Sequence, residues 1–201
     1  ETRYWQFAGT SVERDFVEAP SQMFENWAWD RDALALFAAH YETGEAFPDA
    51  LLEGMVRARN LGSGMKAERQ FFYGMFDLMC HLDPEGDVDT TQLALDLWNP
   101  NKENVELFDP VPGTYFHASF GHLTGYQAGY YGYQWSLVYA CDMFQRFKEL
   151  GMLDTEAGMY YRNKILARGG TIDGLDMVRD YLGREPDLSA FLRHLGLETS
   201  D

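Results

Sequence analysis

The chain has 201 residues, of which 46% are hydrophobic and 15% aromatic, enough to bury a globular core. Its 32 acidic and 16 basic side chains give a formal net charge of −16, which makes nucleic acid and anionic membrane surfaces poor partners. No apolar run reaches the roughly 20 residues that span a bilayer, and the first residues lack a signal-peptide pattern.

Apolar residues at helical spacing dominate the first half of the chain. Pro20 is compatible with a first helical turn or a kink. After a turn at residues 83–87, one more short helix is expected. The predicted helices are Phe16 or Ser21 to Tyr41, a segment from Pro48 to about residue 60, Lys66 to about His81, and Thr90 to Trp98.

The second half begins with residues 99–119, whose prolines predict irregular structure. The helices predicted after it are Tyr126 to Leu150, Thr171 as N-cap through Leu182, and Leu188 to Leu195. No segment alternates with period two, so we predict an all-α protein. We expect residues 1–201 to form one portion of a domain without an internal boundary.

Only two cysteines are present, Cys80 and Cys141, each inside an apolar helical pattern. They are therefore predicted to be buried reduced thiols rather than a disulfide, which is typical of a cytoplasmic protein.

Residues 120–135, FGHLTGYQAGYYGYQW, combine four tyrosines, four glycines and a histidine. In a helix, Tyr126, Tyr130 and Tyr133 would share one face, and a stripe of Tyr131, Trp135 and Val138 would be available for burial. The three phenols could be ordinary core aromatics. They could also be protonated donors that stabilise an oxyanion, with His122 as a further donor.

This segment resembles a signature of the thimet oligopeptidase, neurolysin and oligopeptidase A family of zinc peptidases. The segments TSVERDFVEAPSQM at 10–23, YACDMFQRF at 139–147 and LGREPDLSAFLRHLGL at 182–197 are also similar to that family, in the same order. The resemblance implies a helical C-terminal part of a catalytic domain, a narrow channel with a zinc ion on its floor, and cleavage of short peptides.

The resemblance also implies residue roles. Glu18 matches the third zinc ligand. His122, Tyr126, Tyr130 and Tyr133 match the histidine and tyrosines that bind substrate and stabilise the tetrahedral intermediate, with Tyr133 the best candidate for the oxyanion. The family usually has two glycines before the tyrosine that matches Tyr126, so this chain lacks one residue between His122 and Tyr126.

No HExxH motif, which would supply two zinc ligands and a general base, occurs in the sequence. We therefore expect a C-terminal fragment that does not retain Zn²⁺ and is inactive alone. Its missing HExxH-bearing part would belong to the same protein or to a separately encoded chain. The alternative from another functional class is a non-catalytic helical module that binds peptides with its tyrosine face.

Overall fold

The computed structural model describes residues 2–82, 86–98 and 110–197. Short 3₁₀ turns and one π-helical turn, Arg162–Leu166, connect its α-helices. The α-helices are α1 (Ala19–Phe24), α2 (Arg31–Ala35), α3 (Asp49–Ala58), α4 (Ser63–His81), α5 (Thr90–Trp98), α6 (Phe116–Ser119), α7 (Gly132–Leu150), α8 (Thr155–Tyr161), α9 (Gly174–Leu182) and α10 (Ser189–His194).

The prediction of an all-α protein is confirmed. Within these three described ranges there is no strand, only one isolated antiparallel bridge between Ala39 and Ala46. None of the described helices combines the length and the apolar character that a membrane crossing requires. Residues 83–85 of the predicted turn at 83–87, and residues 99–109 of the predicted irregular stretch at 99–119, lie outside the described residues.

Helix boundaries follow local capping chemistry. Asp30 is extended, and its carboxylate accepts the Ala33 amide at 2.9 Å, so the helix predicted through Tyr41 breaks there and α2 begins. The predicted N-cap Thr171 is also wrong: the Asp173 carboxylate accepts the Leu175 amide at 3.0 Å and caps α9. Gly183 ends α9 with a φ of 71°, as its position predicted.

The chain folds into two compact units, residues 1–61 with 135–201, and residues 62–134. Compactness of a unit does not establish a domain boundary, so the undivided domain over 1–201 stays a prediction. In the first unit, α7 packs its buried side chains against α1, α8 and α9. This core contains Phe16, Ala19, Met23, Tyr139, Ala140, Met143, Phe144, Phe147, Ala157, Tyr161, Ile165, Met177, Val178 and Tyr181.

The segment that leads into Glu18 is held against the turn at residues 169–171. A Cβ at Gly169 would overlap the Phe7 carbonyl oxygen, and one at Gly170 would overlap the Ser11 carbonyl oxygen. Only glycine permits this close approach of two backbones. The turn therefore fixes the chain just before α1, the helix that Glu18 precedes.

The stripe of Tyr131, Trp135 and Val138, which could have served as the buried face of the long helix, is not that face, although Val138 is half-buried. Trp135 is 52% exposed and Tyr131 37% exposed. The buried face of α7 instead carries Ser136, Tyr139, Ala140 and Met143, because these residues meet the aromatic core of the first unit. Both cysteines are free thiols, with Cys141 buried and Cys80 half-buried.

A buried carboxylate joins α7 to the segment between α9 and α10. Asp142 is 2% exposed and accepts both guanidinium NH groups of Arg184, at 2.8 and 2.5 Å. It also accepts the Asp187 amide at 3.1 Å. Because burial of an unpaired carboxylate is costly, these three bonds determine where the chain after α9 can lie.

We predict that Asp142→Ala lowers the free energy of unfolding by about 1–3 kcal/mol, since the Asp187 amide loses its acceptor while half-exposed Arg184 can turn to water. Urea unfolding followed by circular dichroism measures the change. The control Glu53→Ala removes an exposed carboxylate that lies 3.9 Å from Arg31, and should change stability by less than about 0.5 kcal/mol. Equal effects of the two substitutions would contradict the assignment.

Candidate active site

The segment with the four tyrosines does not form the start of a long helix. Residues 125–131 form turns, and α7 begins at Gly132 rather than at the predicted Tyr126. Ala128 has a φ of 53°, in the left-handed region that side chains rarely adopt. Several amides donate to the carbonyl three residues back instead of four, among them Gly129 to Tyr126 at 3.0 Å and Tyr133 to Tyr130 at 3.1 Å.

A buried side chain of α4 explains this break. The carboxylate of Asp77, which is fully buried, accepts the Ala128 amide at Oδ1 and the Tyr130 amide at Oδ2, each at 2.9 Å. Two amides that a continuous helix would direct at its own carbonyls are therefore bound by a side chain. Gly129 lies between them and is buried as well.

This arrangement brings four predicted site residues together in the second unit: His122, Tyr126, Tyr130 and Tyr133. We call them the tyrosine–histidine cluster. The imidazole centroid of His122 lies 5.9, 5.0 and 5.8 Å from the three phenol ring centroids, in sequence order, with near-perpendicular ring planes. Tyr126 and Tyr133 stack with centroids 5.1 Å apart. The shared face was inferred from a helix that is absent, but the turns also bring these rings into contact.

Tyr130 is the most constrained member of the cluster. It is 7% exposed and packs against Phe76 and Phe120, and its hydroxyl donates to the Gln70 side-chain oxygen at 3.0 Å. Burial, together with the neighbouring phenols Tyr73 and Tyr133, raises the pKa of Tyr130 to about 12, although the Gln70 hydrogen bond acts in the opposite direction. The phenol is therefore a neutral donor across the physiological range.

Tyr133 has a weaker polar contact. Its hydroxyl oxygen lies 3.4 Å from Nε2 of His122, at the long limit for a hydrogen bond. Both side chains are half-buried rather than sealed in the core. This pair is thus the part of the cluster best placed to exchange an internal contact for one with a ligand.

A model of peptidase family M3 matches residues 1–197 of the chain. The chain belongs to peptidase family M3. It is 39% identical over 191 residues to oligopeptidase A of Escherichia coli, with 94% of this chain and 28% of that protein covered. It is 38% identical over 192 residues to saccharolysin of Saccharomyces cerevisiae, with 94% and 26% covered.

The thimet-like oligopeptidase of Dictyostelium discoideum is 36% identical over 200 residues, which cover 98% of this chain and 29% of that protein. This M3 chain thus spans little more than a quarter of the length of these three relatives. The helical architecture agrees with the fold class predicted from the family resemblance, a part of the helical M3 domain.

Glu18, the predicted metal ligand of this M3 chain, lies at the N-terminal end of α1. Its half-buried side chain accepts a hydrogen bond from the Ser21 hydroxyl at Oε2, 3.1 Å away, and the same hydroxyl is 2.9 Å from the Glu18 backbone oxygen. Glu18 belongs to the first unit and the tyrosine–histidine cluster to the second. Their predicted convergence on one cavity stays a prediction.

The described residues alone do not fit a zinc ion. Catalytic zinc takes three protein ligands, whereas no group of three or more His, Cys, Asp or Glu side chains in the described ranges could hold a metal. A single hydrogen-bonded carboxylate at Glu18 supplies one ligand at most.

Two residues that shape the cluster, Asp77 and Gln70, were missed by sequence reasoning. Gln70 gave no signal, because a polar residue within an amphipathic helix such as α4 is ordinary. Asp77 gave a weak one: it is the single acidic residue in the otherwise apolar run FFYGMFDLMC at 71–80. A charge at a core position needs partners, and here the partners are backbone amides about 50 residues away.

We predict that the Tyr130 phenol stays mostly protonated at about pH 10.5, where an ordinary tyrosine is about three-quarters ionised. Carbon NMR of chain labelled at tyrosine Cζ measures this, and Tyr130→Phe assigns the resonance. Because the folded-state pKa is raised, the phenol's contribution to stability is complete below pH 10 and is lost as the pH rises toward 12. A Tyr130 resonance with a midpoint near pH 10 would contradict the buried hydrogen-bonded geometry.

Proposed function

We propose that the chain is the C-terminal part of the catalytic domain of a zinc-dependent oligopeptidase that cleaves short peptides in the cytoplasm. The observation that carries the proposal is the tyrosine–histidine cluster, which presents hydrogen-bond donors on a chain that belongs to a peptidase family. The names of its relatives, saccharolysin and oligopeptidase A, support the same reaction class.

Tyr133 is proposed to donate to the oxyanion of the tetrahedral intermediate. A neutral phenol gains most when its acceptor becomes negative, so the bond strengthens as charge develops on the substrate oxygen. The 3.4 Å contact with His122 is long, and its replacement by a substrate oxygen costs little. His122 then becomes available as a second polar contact for the peptide.

Tyr130 is proposed to contribute differently from Tyr133. Its hydroxyl donates to Gln70 and its ring is buried, so a direct role would require the loss of that hydrogen bond. We assign to Tyr130 the role of holding the His122 and Tyr133 rings in place. Its ring centroid lies 5.0 Å from the centroid of each of them. Tyr126 stacks on Tyr133 and limits the orientation of that ring.

Glu18 is proposed as one ligand of the zinc ion. When bound, the zinc ion would act as a Lewis acid and would activate a water molecule. The remaining ligands and the general base would come from an HExxH helix, in the rest of a longer protein or in a separate chain. By itself the chain is therefore expected to be inactive.

The alternative is a non-catalytic peptide-binding module. The Tyr130 hydroxyl already donates to Gln70 and the Tyr133 hydroxyl already contacts His122. This arrangement is compatible with a binding module, because aromatic side chains with a few polar groups can bind an extended peptide without chemistry. Zinc content and turnover distinguish the two functions, since a binding module needs neither.

We expect Tyr133→Phe to lower kcat about 100-fold, a loss of about 3 kcal/mol of transition-state stabilisation, in the protein completed with an HExxH helix. Hydrolysis of a short quenched fluorescent peptide measures this. The matched control Tyr41→Phe removes the hydroxyl of a tyrosine that is 88% exposed, and should leave kcat unchanged. Unchanged turnover in Tyr133→Phe would refute the oxyanion role.

Zinc binding provides a separate test of Glu18. In the completed protein, Glu18→Gln should lower zinc affinity by about tenfold or more, because an amide oxygen is a weaker ligand than a carboxylate. Equilibrium dialysis with metal analysis measures it, with Glu25→Gln, which changes a carboxylate in the following 3₁₀ turn, as control. Equal zinc affinity of the Glu18 variant and the wild type would remove Glu18 from the ligand set.

A further inference from the structure

We propose that Asp77 is a positioning residue of the peptidase: its carboxylate fixes the backbone that places Tyr130 and Tyr133 around His122. The catalytic part of this inference rests on the proposed function, whereas the structural part does not. The two carboxylate oxygens of Asp77 accept the backbone amides of Ala128 and Tyr130, so Asp77 acts on the rings of the cluster through the main chain.

The chemistry of a buried carboxylate makes this anchor specific. An ionised Asp accepts hydrogen bonds only, and each oxygen of Asp77 lies 2.9 Å from one amide nitrogen. The side chain is fully buried, so water does not compete for these lone pairs. Charge-assisted bonds to backbone amides are about twice as strong as neutral ones, and here two of them compensate for the burial of one charge.

His81, one turn later on α4, adds a second constraint. Its Nδ1 lies 2.7 Å from the Asp77 backbone oxygen and 3.4 Å from Oδ1. A proton on Nδ1 therefore donates to the carbonyl and also faces the carboxylate. Next to it, burial and the negative charge of Asp77 raise the pKa of the Cys80 thiol.

The two amides bound by Asp77 lie on either side of Gly129, and this pair of hydrogen bonds sets the geometry of the cluster. It holds Ala128 at a φ of 53° and ends the turn just before α7 begins. The Tyr130 ring is then fixed between Tyr73, at 5.5 Å, and His122, at 5.0 Å. The Tyr126 amide, by contrast, donates to a carbonyl of its own turn, that of His122, at 2.8 Å.

Replacement of Asp77 by asparagine is the sharpest test of this anchor, because the two side chains have nearly the same size. One oxygen is retained, but the amide NH₂ group must then face a backbone N–H, so one of the two bonds is lost and replaced by a donor–donor contact. Asp96→Asn is the matched control, because Asp96 is an exposed carboxylate on α5 that accepts a hydrogen bond from the Gln92 side chain.

The structural arm measures amide hydrogen exchange by NMR in the chain itself. We expect Asp77→Asn to lower the protection of the Ala128 or Tyr130 amide by about tenfold or more, while amides within α7 remain within about twofold of the wild type. Unchanged protection of both amides would overturn the anchor. If Asp77→Asn fails to fold, the wild-type chain provides the test. Scalar couplings across the hydrogen bonds should connect both amide nitrogens to the Asp77 carboxylate carbon. Absence of these couplings would overturn the anchor.

The catalytic arm uses the protein completed with an HExxH helix. Asp77→Asn should lower kcat by about tenfold or more while KM changes less than about threefold, because the donors are displaced mainly relative to the transition state. Loss of amide protection with unchanged kcat would overturn the positioning role. A wild-type completed protein without peptidase activity would instead refute the proposed function, and the exchange arm would still decide whether Asp77 is the anchor.

Discussion

The interaction on which the candidate site depends is the acceptance of two backbone amides by one buried carboxylate. Asp77 is fully buried, and the Ala128 and Tyr130 amides are its partners. A helix that continued through residues 126–131 would direct these N–H groups along its axis, away from α4. The carboxylate binds them instead, the backbone adopts a positive φ at Ala128, and α7 begins only at Gly132. The contacts between His122 and the three phenols follow from that local geometry.

The chemistry available to this cluster is the chemistry of neutral donors. Burial raises the pKa of Tyr130, so the phenol keeps its proton where a carboxyl group would have lost one. Tyr133 and His122 are half-buried and share a long contact. One cluster thus combines a rigid, sealed tyrosine with a more accessible tyrosine–histidine pair. Rigid support behind an accessible donor is what stabilisation of a developing oxyanion requires.

Local signals allowed much of the helical framework to be predicted. Thr90–Trp98 and the end of α9 at Gly183 agree with the sequence-based expectations, because apolar spacing and a C-terminal glycine act within a few residues. The N-cap of α9 was predicted at the wrong residue. Asp173, two residues after the predicted Thr171, caps the helix because its carboxylate accepts the Leu175 amide. The helix α8 was not predicted at all, although the Asp154 carboxylate caps it at 2.7 Å.

The candidate site could be predicted in composition but not in geometry. Motif resemblance selected His122, Tyr126, Tyr130 and Tyr133, and these side chains are in contact. The reason for their contact, a carboxylate more than 50 residues earlier in the chain, leaves no signal within residues 120–135 themselves. Tyr131 and Trp135 were available for burial by their helical spacing but are exposed, for a related reason: periodicity shows which residues share a face of a helix, not which elements pack against that face. The relation of Glu18 to the tyrosines stays a prediction.

The most direct test of this account is the secondary chemical shift of each α-carbon between residues 122 and 140 in isotopically labelled chain. A turn anchored by Asp77 predicts that the helical shifts of the 3₁₀ turn Gly121–Thr124 and those of α7, from Gly132 onward, are separated by a non-helical stretch. Within that stretch Ala128 lies in the left-handed range, and its amide proton is moved downfield by the carboxylate. Helical shifts that run unbroken from Tyr126 through Leu150 would contradict the anchor and the cluster geometry derived from it.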